Sequence, residues 1–392
     1  MLETPAPKGE ARDVTRAFLG RQALTDATQV EDSEGAAALR QFSLERLMGY
    51  GVAHADAVEL RGRTAGGERW QDVAADLAQT CLRPPEDALA PASLPTRINR
   101  LYRASALWRM SQMMMLTDSD ERRDIFAKAA ELYGQAARLG RDREKVAIAT
   151  PGGELDGWLF PVIGQPTQGC AVIIGGVEGW GMDFASLGLT LARRGVMALC
   201  LDGPGQGESR MTHRHYLTAD WPRAYAAVFD EVIARAGGAP LAFIGNSMGG
   251  TVAMCLAALD RRIVALCQNG GPRRPVRPRS NKSFFVKMTA HCGEVDEAAA
   301  TAIWLTVDPM APNARIDCPL LVVHGGQDPL VSTEDATALF DWAASADKRM
   351  VTYSDGDHCV YNHLEDRNNL MADWVADRLA RPIRSMNDAS LP

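Results

Sequence analysis

The first third of the chain shows a helical pattern of hydrophobic positions. From residue 95 to residue 139 apolar side chains recur every three or four residues, most clearly over residues 101–110 and 125–136. This spacing places them on one face of an α-helix. Residues 81–96, rich in Pro and Ala, predict a loop between helical pairs. No convincing strand pattern precedes the end of this region, so we predict an all-helical N-terminal domain over residues 1–143.

The pattern changes near residue 144, where short apolar strands begin to alternate with helical segments. Residues 145–149 and 155–160 predict two antiparallel strands joined by a Pro-Gly-Gly turn. Further apolar runs follow at residues 171–174, 196–201, 242–244, 263–267, 320–324 and 349–353. Apolar strands that alternate with helices form a mostly parallel sheet covered on both faces. We therefore predict an eight-stranded α/β domain over residues 144–392.

One segment interrupts this alternation. Residues 271–317 are too polar and irregular to predict core elements, and we interpret them as a lid insertion. Within them, the basic run 273–279 is typical of a solvated loop stiffened by proline.

Composition narrows the class of protein. The 392 residues fit one large domain plus a smaller one, and 46% hydrophobic with 23% charged residues is typical of a soluble globular protein. A net charge of -7 argues against nucleic acid as the main partner, since phosphate binding needs a concentrated basic surface. No run of about 18 apolar residues predicts a membrane span, and the N-terminus lacks the pattern of a signal peptide. The eight cysteines are scattered without a C-x-x-C pair, so we expect a reduced cytoplasmic protein.

A glycine-flanked serine provides the first candidate for catalysis. Ser247 stands between Gly245 and Gly249, directly after the apolar strand 241–244 and before a helical pattern over 251–259. G-x-S-x-G at a strand-to-helix junction is the nucleophile elbow, a sharp turn that exposes the serine oxygen at a helix N-terminus. We predict Ser247 as a nucleophile.

An acid and a base follow in the order expected for the α/β-hydrolase fold. Asp328 comes after the apolar run 320–324, and His358 comes after the last predicted strand. We predict that His358 accepts the Ser247 proton and that Asp328 orients its imidazole. Asp357 competes for the acid role, although a sequence neighbour rarely points at the same ring. The histidines at 213 and 215 lack further ligands at metal spacing, so we predict no metal site and no cofactor.

The oxyanion formed by attack on a carbonyl needs preorganised donors. We predict the backbone N–H of Met248 as one donor and that of Val177 as the second, with the N–H of Glu178 as the next choice. A carboxylate at Glu178 would oppose the negative charge of an oxyanion. If it lies in the pocket, it should be either protonated or paired with a cation. From the residues alone, a catalytic Glu178 and a surface carboxylate are equally compatible with this loop.

A glycine-rich loop at residues 202–209 could be mistaken for a phosphate cradle. It has Glu208 where G-x-G-x-x-G requires its third glycine, and it lacks the Lys-Ser/Thr pair of a P-loop. We interpret it as a tight structural turn at the edge of the active site.

These motifs resemble a subgroup of α/β hydrolases with helical N-terminal domains. The subgroup includes bacterial 2,6-dihydroxypseudooxynicotine hydrolase, fungal pigment-pathway hydrolases that shorten polyketides, and proteins related to the fermentation–respiration switch esterase. The resemblance rests on segments spread over most of the chain: residues 102–109, 175–178, 245–250, 324–328 and 356–359. The G-G-x-E loop and the G-D-H-C ending are more specific to the subgroup than the triad motifs are.

The resemblance implies Ser247, Asp328 and His358 as a catalytic triad and Glu178 as an active-site glutamate. It also implies hydrolysis of a carbon–carbon bond next to a ketone on an electron-rich aromatic ring, and a homodimer in which the helical domain covers the site. Residues 180–182 and 280–294 depart from the subgroup's pattern, so the particular substrate does not carry over.

The sequence therefore predicts a cofactor-independent serine hydrolase of a small-molecule carbonyl compound. Carbon–carbon bond hydrolysis of an aryl ketone or polyketide-like molecule is the leading hypothesis. A carboxylesterase or thioesterase is the alternative, because it needs the same triad without a special acid. A catalytically silent binding protein is a hypothesis of another class, which the intact triad disfavours.

Overall fold

Over the residues that the structure describes, the fold is a nine-stranded sheet covered by helices, and six helices lie along the chain between its first and second strands. This computed structural model describes residues 12–16, 34–83, 90–275, 282–293 and 295–380. The strands are β1 (Arg12–Arg16), β2 (Glu144–Thr150), β3 (Gly153–Phe160), β4 (Gly169–Ile174), β5 (Val196–Leu201), β6 (Leu241–Asn246), β7 (Ile263–Asn269), β8 (Leu320–Gly325) and β9 (Lys348–Tyr353).

The helices surround this sheet or precede it. They are α1 (Glu34–Gln41), α2 (Leu44–Gly49), α3 (His54–Ala65), α4 (Trp70–Leu82), α5 (Leu94–Gln112), α6 (Asp120–Gly140), α7 (Ala185–Ala192), α8 (Gly207–Met211), α9 (Trp221–Arg235), α10 (Met248–Leu259), α11 (Lys282–His291), α12 (Glu297–Trp304), α13 (Thr333–Trp342) and α14 (Leu364–Leu379). The described residues also form 3₁₀ helices at Gly181–Phe184, after β4, and at His358–His363, after β9.

The strand order is β1-β9-β8-β7-β6-β4-β5-β3-β2. β3 pairs antiparallel with β2 and β5, and the other neighbours are parallel. The predicted fold class, a mostly parallel α/β-hydrolase sheet built from eight strands, is confirmed by β2–β9. The prediction that residues 1–143 contain only helices is wrong at β1, which adds a ninth strand beside β9. Its sequence has a single apolar residue, and an edge strand with one paired side needs no apolar run.

The central strands are apolar because helices cover both faces of the sheet. Val172, Leu199 and Phe243 pack on one face against α9 and α10, in a first buried cluster. The alternate residues Ile173 and Ile244 pack on the other face with α7 and α14. This two-residue alternation follows from the strand geometry.

The insertion at 271–317 contributes to the core. Its helices α11 and α12 bury Met288 and Trp304, and Ile316 is buried after them, all in the cluster under the first face. The interpretation of the insertion as too irregular for core is therefore wrong at these positions. Short helices that mix apolar with polar residues give no run of the length or regularity that predicts a core element from sequence.

The N-terminal helices form a third cluster, which reaches the end of the sheet where the parallel strands finish. Phe42, Trp70 and Leu107 pack together with Cys359 and Tyr361, one and three residues after His358. The packing of α2 on this segment places the helical region beside the carboxyl ends of the strands.

A buried ion pair joins the helical region to the loop after β4. The guanidinium of Arg109 on α5 lies 2.9 Å from the Asp183 carboxylate and donates to the Tyr50 carbonyl at 2.6 Å. The second oxygen of Asp183 accepts from the Trp180 N–H at 2.9 Å. Both charged side chains are almost fully buried, so each depends on the other for compensation.

We expect Arg109→Met to lower the free energy of unfolding by about 3–5 kcal/mol, because it leaves a buried carboxylate without its cation. Urea denaturation measures this change. The control is Arg235→Met, which removes an exposed pair with Glu231 and should cost at most about 1 kcal/mol. If both variants lose the same free energy of unfolding, the buried pair contributes no more to stability than the exposed one.

Candidate active site

Ser247 occupies a strained turn between β6 and α10. Its φ of 54° and ψ of -130° lie in a region that non-glycine residues rarely adopt. The flanking glycines are needed for close packing: a Cβ at Gly245 would lie 2.0 Å from the Gly249 carbonyl oxygen, and one at Gly249 would lie 2.4 Å from that of Gly175. The turn therefore requires the G-x-S-x-G spacing and places the serine at a helix N-terminus.

A chain of two hydrogen bonds links Ser247, His358 and Asp328. His358 Nε2 lies 2.8 Å from Ser247 Oγ, and His358 Nδ1 lies 2.8 Å from Asp328 Oδ2. The other carboxylate oxygen of Asp328 accepts from the N–H groups of Leu330 and Val331 at 2.8 and 3.0 Å. An ionised Asp328 accepts a hydrogen bond from Nδ1–H, so the neutral imidazole keeps Nε2 free to accept the proton of the serine hydroxyl.

The competing carboxylate, Asp357, has a different set of partners. Its Oδ1 accepts from the Tyr361 N–H at 2.5 Å and the Asn362 N–H at 3.4 Å, and so caps the 3₁₀ helix that begins at His358. The structure thus brings Asp328, and not Asp357, against the imidazole.

The surroundings of His358 and Asp328 shift the pKa values of both side chains. Burial opposes the imidazolium, but Cys359 and the Asp328 carboxylate favour it, and the net effect raises the pKa of His358 above 6.5. Burial works against the carboxylate of Asp328, but the His358 ring and the two backbone donors hold its pKa below the usual range. The pair is therefore arranged to stabilise positive charge on His358.

The predicted oxyanion donors lie beside Ser247. A Cβ at Gly176 would stand 2.6 Å from Ser247 Cβ and 3.2 Å from the Met248 nitrogen, so the Gly176–Val177 peptide borders both. The hydrogen bonds found between the described residues use neither the Val177 N–H nor the Met248 N–H. Two backbone donors beside a serine oxygen can hold a developing negative charge.

Glu178 is buried next to this loop and is paired with cations. Its Oε1 accepts from the ammonium of Lys287 on α11, and its Oε2 lies 3.9 Å from the guanidinium of Arg46 on α2. Of the two expected states, a protonated carboxyl or a cation-paired one, the geometry corresponds to pairing. Burial, together with Arg122 and Arg46, lowers the pKa of Lys287 to about 7.

Lys287 and Arg46 were not among the residues predicted from the sequence. Each stands in an amphipathic helix in which a charged residue is ordinarily solvated, so no sequence signal distinguishes them. Lys287 also lies 3.5 Å from Gln41 Oε1, so side chains from the insertion and from the N-terminal helices meet at Glu178.

A small cavity adjoins the two predicted donors. Its volume is about 20 Å³, and it lies between the ends of β4 and β5, α10 and the insertion. The wall is mainly apolar and aromatic, formed by residues that include Gly176, Met248, Leu217, Tyr225, Val252, His291 and Trp304.

The histidines at 213 and 215 have separate partners. His213 Nε2 lies 2.6 Å from Asp156 Oδ2, and His215 Nδ1 lies 3.3 Å from the Glu154 carbonyl oxygen. Over the ranges that the structure describes, no three His, Cys, Asp or Glu side chains converge as metal ligands would.

The same described ranges contain no helix with both the length and the apolar character needed to cross a membrane.

Comparison with known proteins agrees with this architecture. The model of a family described as the alpha/beta hydrolase family matches residues 172–374. The chain therefore belongs to the alpha/beta hydrolase family, and it is a hydrolase.

Two relatives extend the comparison. The chain is 27% identical over 274 residues to 2,6-dihydropseudooxynicotine hydrolase of Paenarthrobacter nicotinovorans, which covers 66% of this chain and 72% of the relative. It is 27% identical over 257 residues to hydrolase LUC6 of a Fusarium species, covering 60% and 59%. A crystal structure of 2,6-dihydroxy-pseudo-oxynicotine hydrolase shares the fold, with a TM-score of 0.73 and 22% identity over 86% of this chain and 96% of that one.

Proposed function

We propose that the protein is a cofactor-independent serine hydrolase of a small-molecule carbonyl compound. Ser247 is the nucleophile, His358 the general base and Asp328 the residue that orients the base. The observation that carries this proposal is the continuous pair of 2.8 Å hydrogen bonds from Ser247 through His358 to Asp328. A serine hydrogen-bonded to an oriented imidazole is the arrangement that activates a hydroxyl for attack.

The reaction begins when Ser247 Oγ attacks the carbonyl carbon and His358 Nε2 takes the hydroxyl proton. The carbonyl oxygen becomes an oxyanion, which the N–H groups of Met248 and Val177 stabilise. One such donor contributes about 3–4 kcal/mol in the transition state. Collapse expels the leaving group with a proton, and water then attacks the acyl-serine, again with His358 as base. The products are a carboxylic acid and the protonated leaving group.

We propose that the bond cleaved joins the carbonyl to carbon, in an aryl ketone or polyketide-like substrate. The relative named 2,6-dihydropseudooxynicotine hydrolase supports this choice, as does the carboxylate held next to the oxyanion donors. A carbon leaving group must be protonated as the bond breaks, and a hydroxylated ring makes it a better leaving group as an enol tautomer. His358 can deliver the proton that it took from Ser247. In the alternative, Glu178, a carboxylate without a proton of its own, relays one from the ammonium of Lys287; His358 then releases its proton to solvent, and Lys287 regains one from solvent.

Carboxylester or thioester hydrolysis remains the second candidate. Both reactions use the same triad and oxyanion donors, while an alkoxide or thiolate leaving group needs no dedicated acid. The observation that favours the carbon–carbon reaction over them is the buried position of Glu178.

The domain division belongs to the same proposal. The helical region 1–143 would cap the catalytic domain 144–392, with residues 271–317 as a lid. Contacts of Glu178 with Arg46 and Lys287 support it, because they join both covering segments to the site. The homodimer implied by the resemblance and the cytoplasmic location stay predictions.

A matched pair of substrates tests whether the enzyme cleaves a carbon–carbon bond or an ester bond. One is a 2,6-dihydroxyphenyl alkyl ketone, and the other is a phenyl ester with the same acyl chain. Turnover of the ketone in H₂¹⁸O should give a carboxylate that carries one ¹⁸O and a resorcinol, both measured by mass spectrometry. Hydrolysis of the ester with an intact ketone would select the esterase function.

We expect Asp328→Asn to lower the turnover of either substrate by about 10⁴-fold, because the imidazole loses its orientation and charge compensation. His358 must be neutral to act as a base, so activity falls as the pH drops through its pKa. Since Asp328 raises that pKa, the acid limb of the parent enzyme should have its midpoint above 6.5, and the variant's midpoint should be lower. A pH profile of kcat/KM measures both. Asp357→Asn, the control, should lose far less activity, and equal losses would contradict the assignment.

A further inference from the structure

We propose that Gln206 is a positioning residue for the oxyanion hole. Its side-chain amide holds the loop after β4 so that the Val177 N–H faces Ser247. This inference rests on the proposed function, and it gives a role to the glycine-rich loop at 202–209, whose sequence by itself predicts only a tight structural turn.

The side-chain amide of Gln206 is buried, and both its nitrogen and its oxygen form hydrogen bonds. Its Nε2 donates to the carbonyl oxygens of Gly175 and Gly176, at 2.8 Å each, and its Oε1 accepts from the Gly203 N–H at 3.0 Å. The opposite amide orientation would set an oxygen against two carbonyl oxygens. The network therefore determines which end of the side chain donates.

Peptide geometry converts these bonds into a direction for the Val177 N–H. The peptide between Gly176 and Val177 is trans, and in a trans peptide the C=O and N–H point to opposite sides. Because Gln206 holds the Gly176 carbonyl on one side, the Val177 N–H points to the other. Ser247 borders the same residue: a Cβ at Gly176 would lie 2.8 Å from Ser247 Oγ.

The rest of the 202–209 loop holds the far end of the same segment. Asp202 accepts from the Gly181 N–H at 2.7 Å and from the Glu208 N–H at 2.9 Å. Gly207, with φ of 42°, packs so tightly that a Cβ there would lie 2.1 Å from the Asp202 carboxyl carbon. The loop thus contacts residues 175–181 at both ends through side chains that its backbone keeps in place.

Without Gln206, the two adjacent glycines are the weak point. Glycine adopts many backbone conformations at little cost, so the Gly176–Val177 peptide can rotate once its carbonyl loses its donor. A rotated peptide would turn an oxygen, rather than an N–H, toward the oxyanion. Gln206 therefore acts on the transition state through Val177 and not by touching the substrate.

The test uses Gln206→Met and Gln206→Glu, which keep the approximate length of the side chain. We expect Gln206→Met to lower kcat by about 10²–10³-fold, the loss seen when one oxyanion donor is removed, with a small change in KM. The inhibition constant of a trifluoromethyl ketone, which forms a tetrahedral adduct on the serine, should weaken by a similar factor. Gln206→Glu should regain part of its activity relative to the parent as the pH falls, because a protonated carboxyl donates one hydrogen bond.

The control is Gln165→Glu, since Gln165 also donates from its amide to a backbone carbonyl, that of Arg193, on the exposed surface. Gln165→Glu should leave kcat, KM and the inhibition constant unchanged. An unchanged kcat and inhibition constant in Gln206→Met would overturn the proposal. A higher KM, weaker inhibitor binding and lower thermal stability, all together in both Gln206 variants, would also overturn it, because they would show a general structural role. If the parent protein fails to react with a fluorophosphonate at Ser247, the proposed function fails instead.

Discussion

Ser247→Ala is expected to abolish labelling by a fluorophosphonate probe and to reduce hydrolysis by about 10⁴- to 10⁶-fold. The probe reacts with a serine oxygen whose proton an adjacent base can remove. Ser247 Oγ lies 2.8 Å from His358 Nε2, and the turn that carries it exposes the oxygen at the N-terminus of α10. Alanine removes the hydroxyl of the proposed nucleophile and keeps the glycine packing around it. Gel fluorescence after labelling and turnover of the ester substrate measure the two effects.

The matched control is Ser186→Ala, which removes an exposed hydroxyl that accepts from Asn368 at 3.3 Å. Labelling and turnover should both persist in it. Labelling that survives in Ser247→Ala would assign the nucleophile to another residue. A parent protein that neither labels nor turns over either substrate would favour the hypothesis of a binding protein with a hydrolase fold.

Glu178→Gln is expected to reduce ketone cleavage by about 10²–10⁴-fold, the usual contribution of general acid catalysis, while ester hydrolysis survives. The amide keeps the shape of the carboxyl but cannot pass a proton to a carbon leaving group. A phenolate leaves without that help, so the ester isolates the contribution of Glu178. The ratio of the two kcat/KM values, measured with the same acyl chain, is the deciding quantity.

The ion pair with Lys287 requires its own control. Glu178→Gln leaves the buried ammonium of Lys287 without its carboxylate, which destabilises the protein unless the lysine loses its proton. Adding Lys287→Met should restore the free energy of unfolding but not the ketone activity. Equal losses of both activities would give Glu178 a structural role. Unchanged activities would show that its catalytic role is wrong.

The fold could be predicted because its signals are local. β4 to β8 appear as apolar runs, since a strand buried on both faces must be apolar at nearly every position. β2 shows instead the alternation of exposed and buried residues that is typical of a strand with one buried face. β1 was missed because backbone hydrogen bonds to β9 place it at the edge, and Arg12–Arg16 carries no such pattern. The core contribution of Met288 and Trp304 was missed because only packing shows which side of a mixed helix is buried.

By itself the sequence determined the elbow at Ser247, because a sharp strand-to-helix turn requires glycines at fixed local spacing. The order of the acid and base candidates followed from the succession of strands. Tertiary structure alone decided that Asp328 rather than Asp357 contacts His358, that Lys287 pairs with Glu178 across 109 residues, and that Gln206 binds the Gly176 carbonyl. These partners meet only because the folded sheet brings its loops to one edge, and no local pattern encodes such contacts.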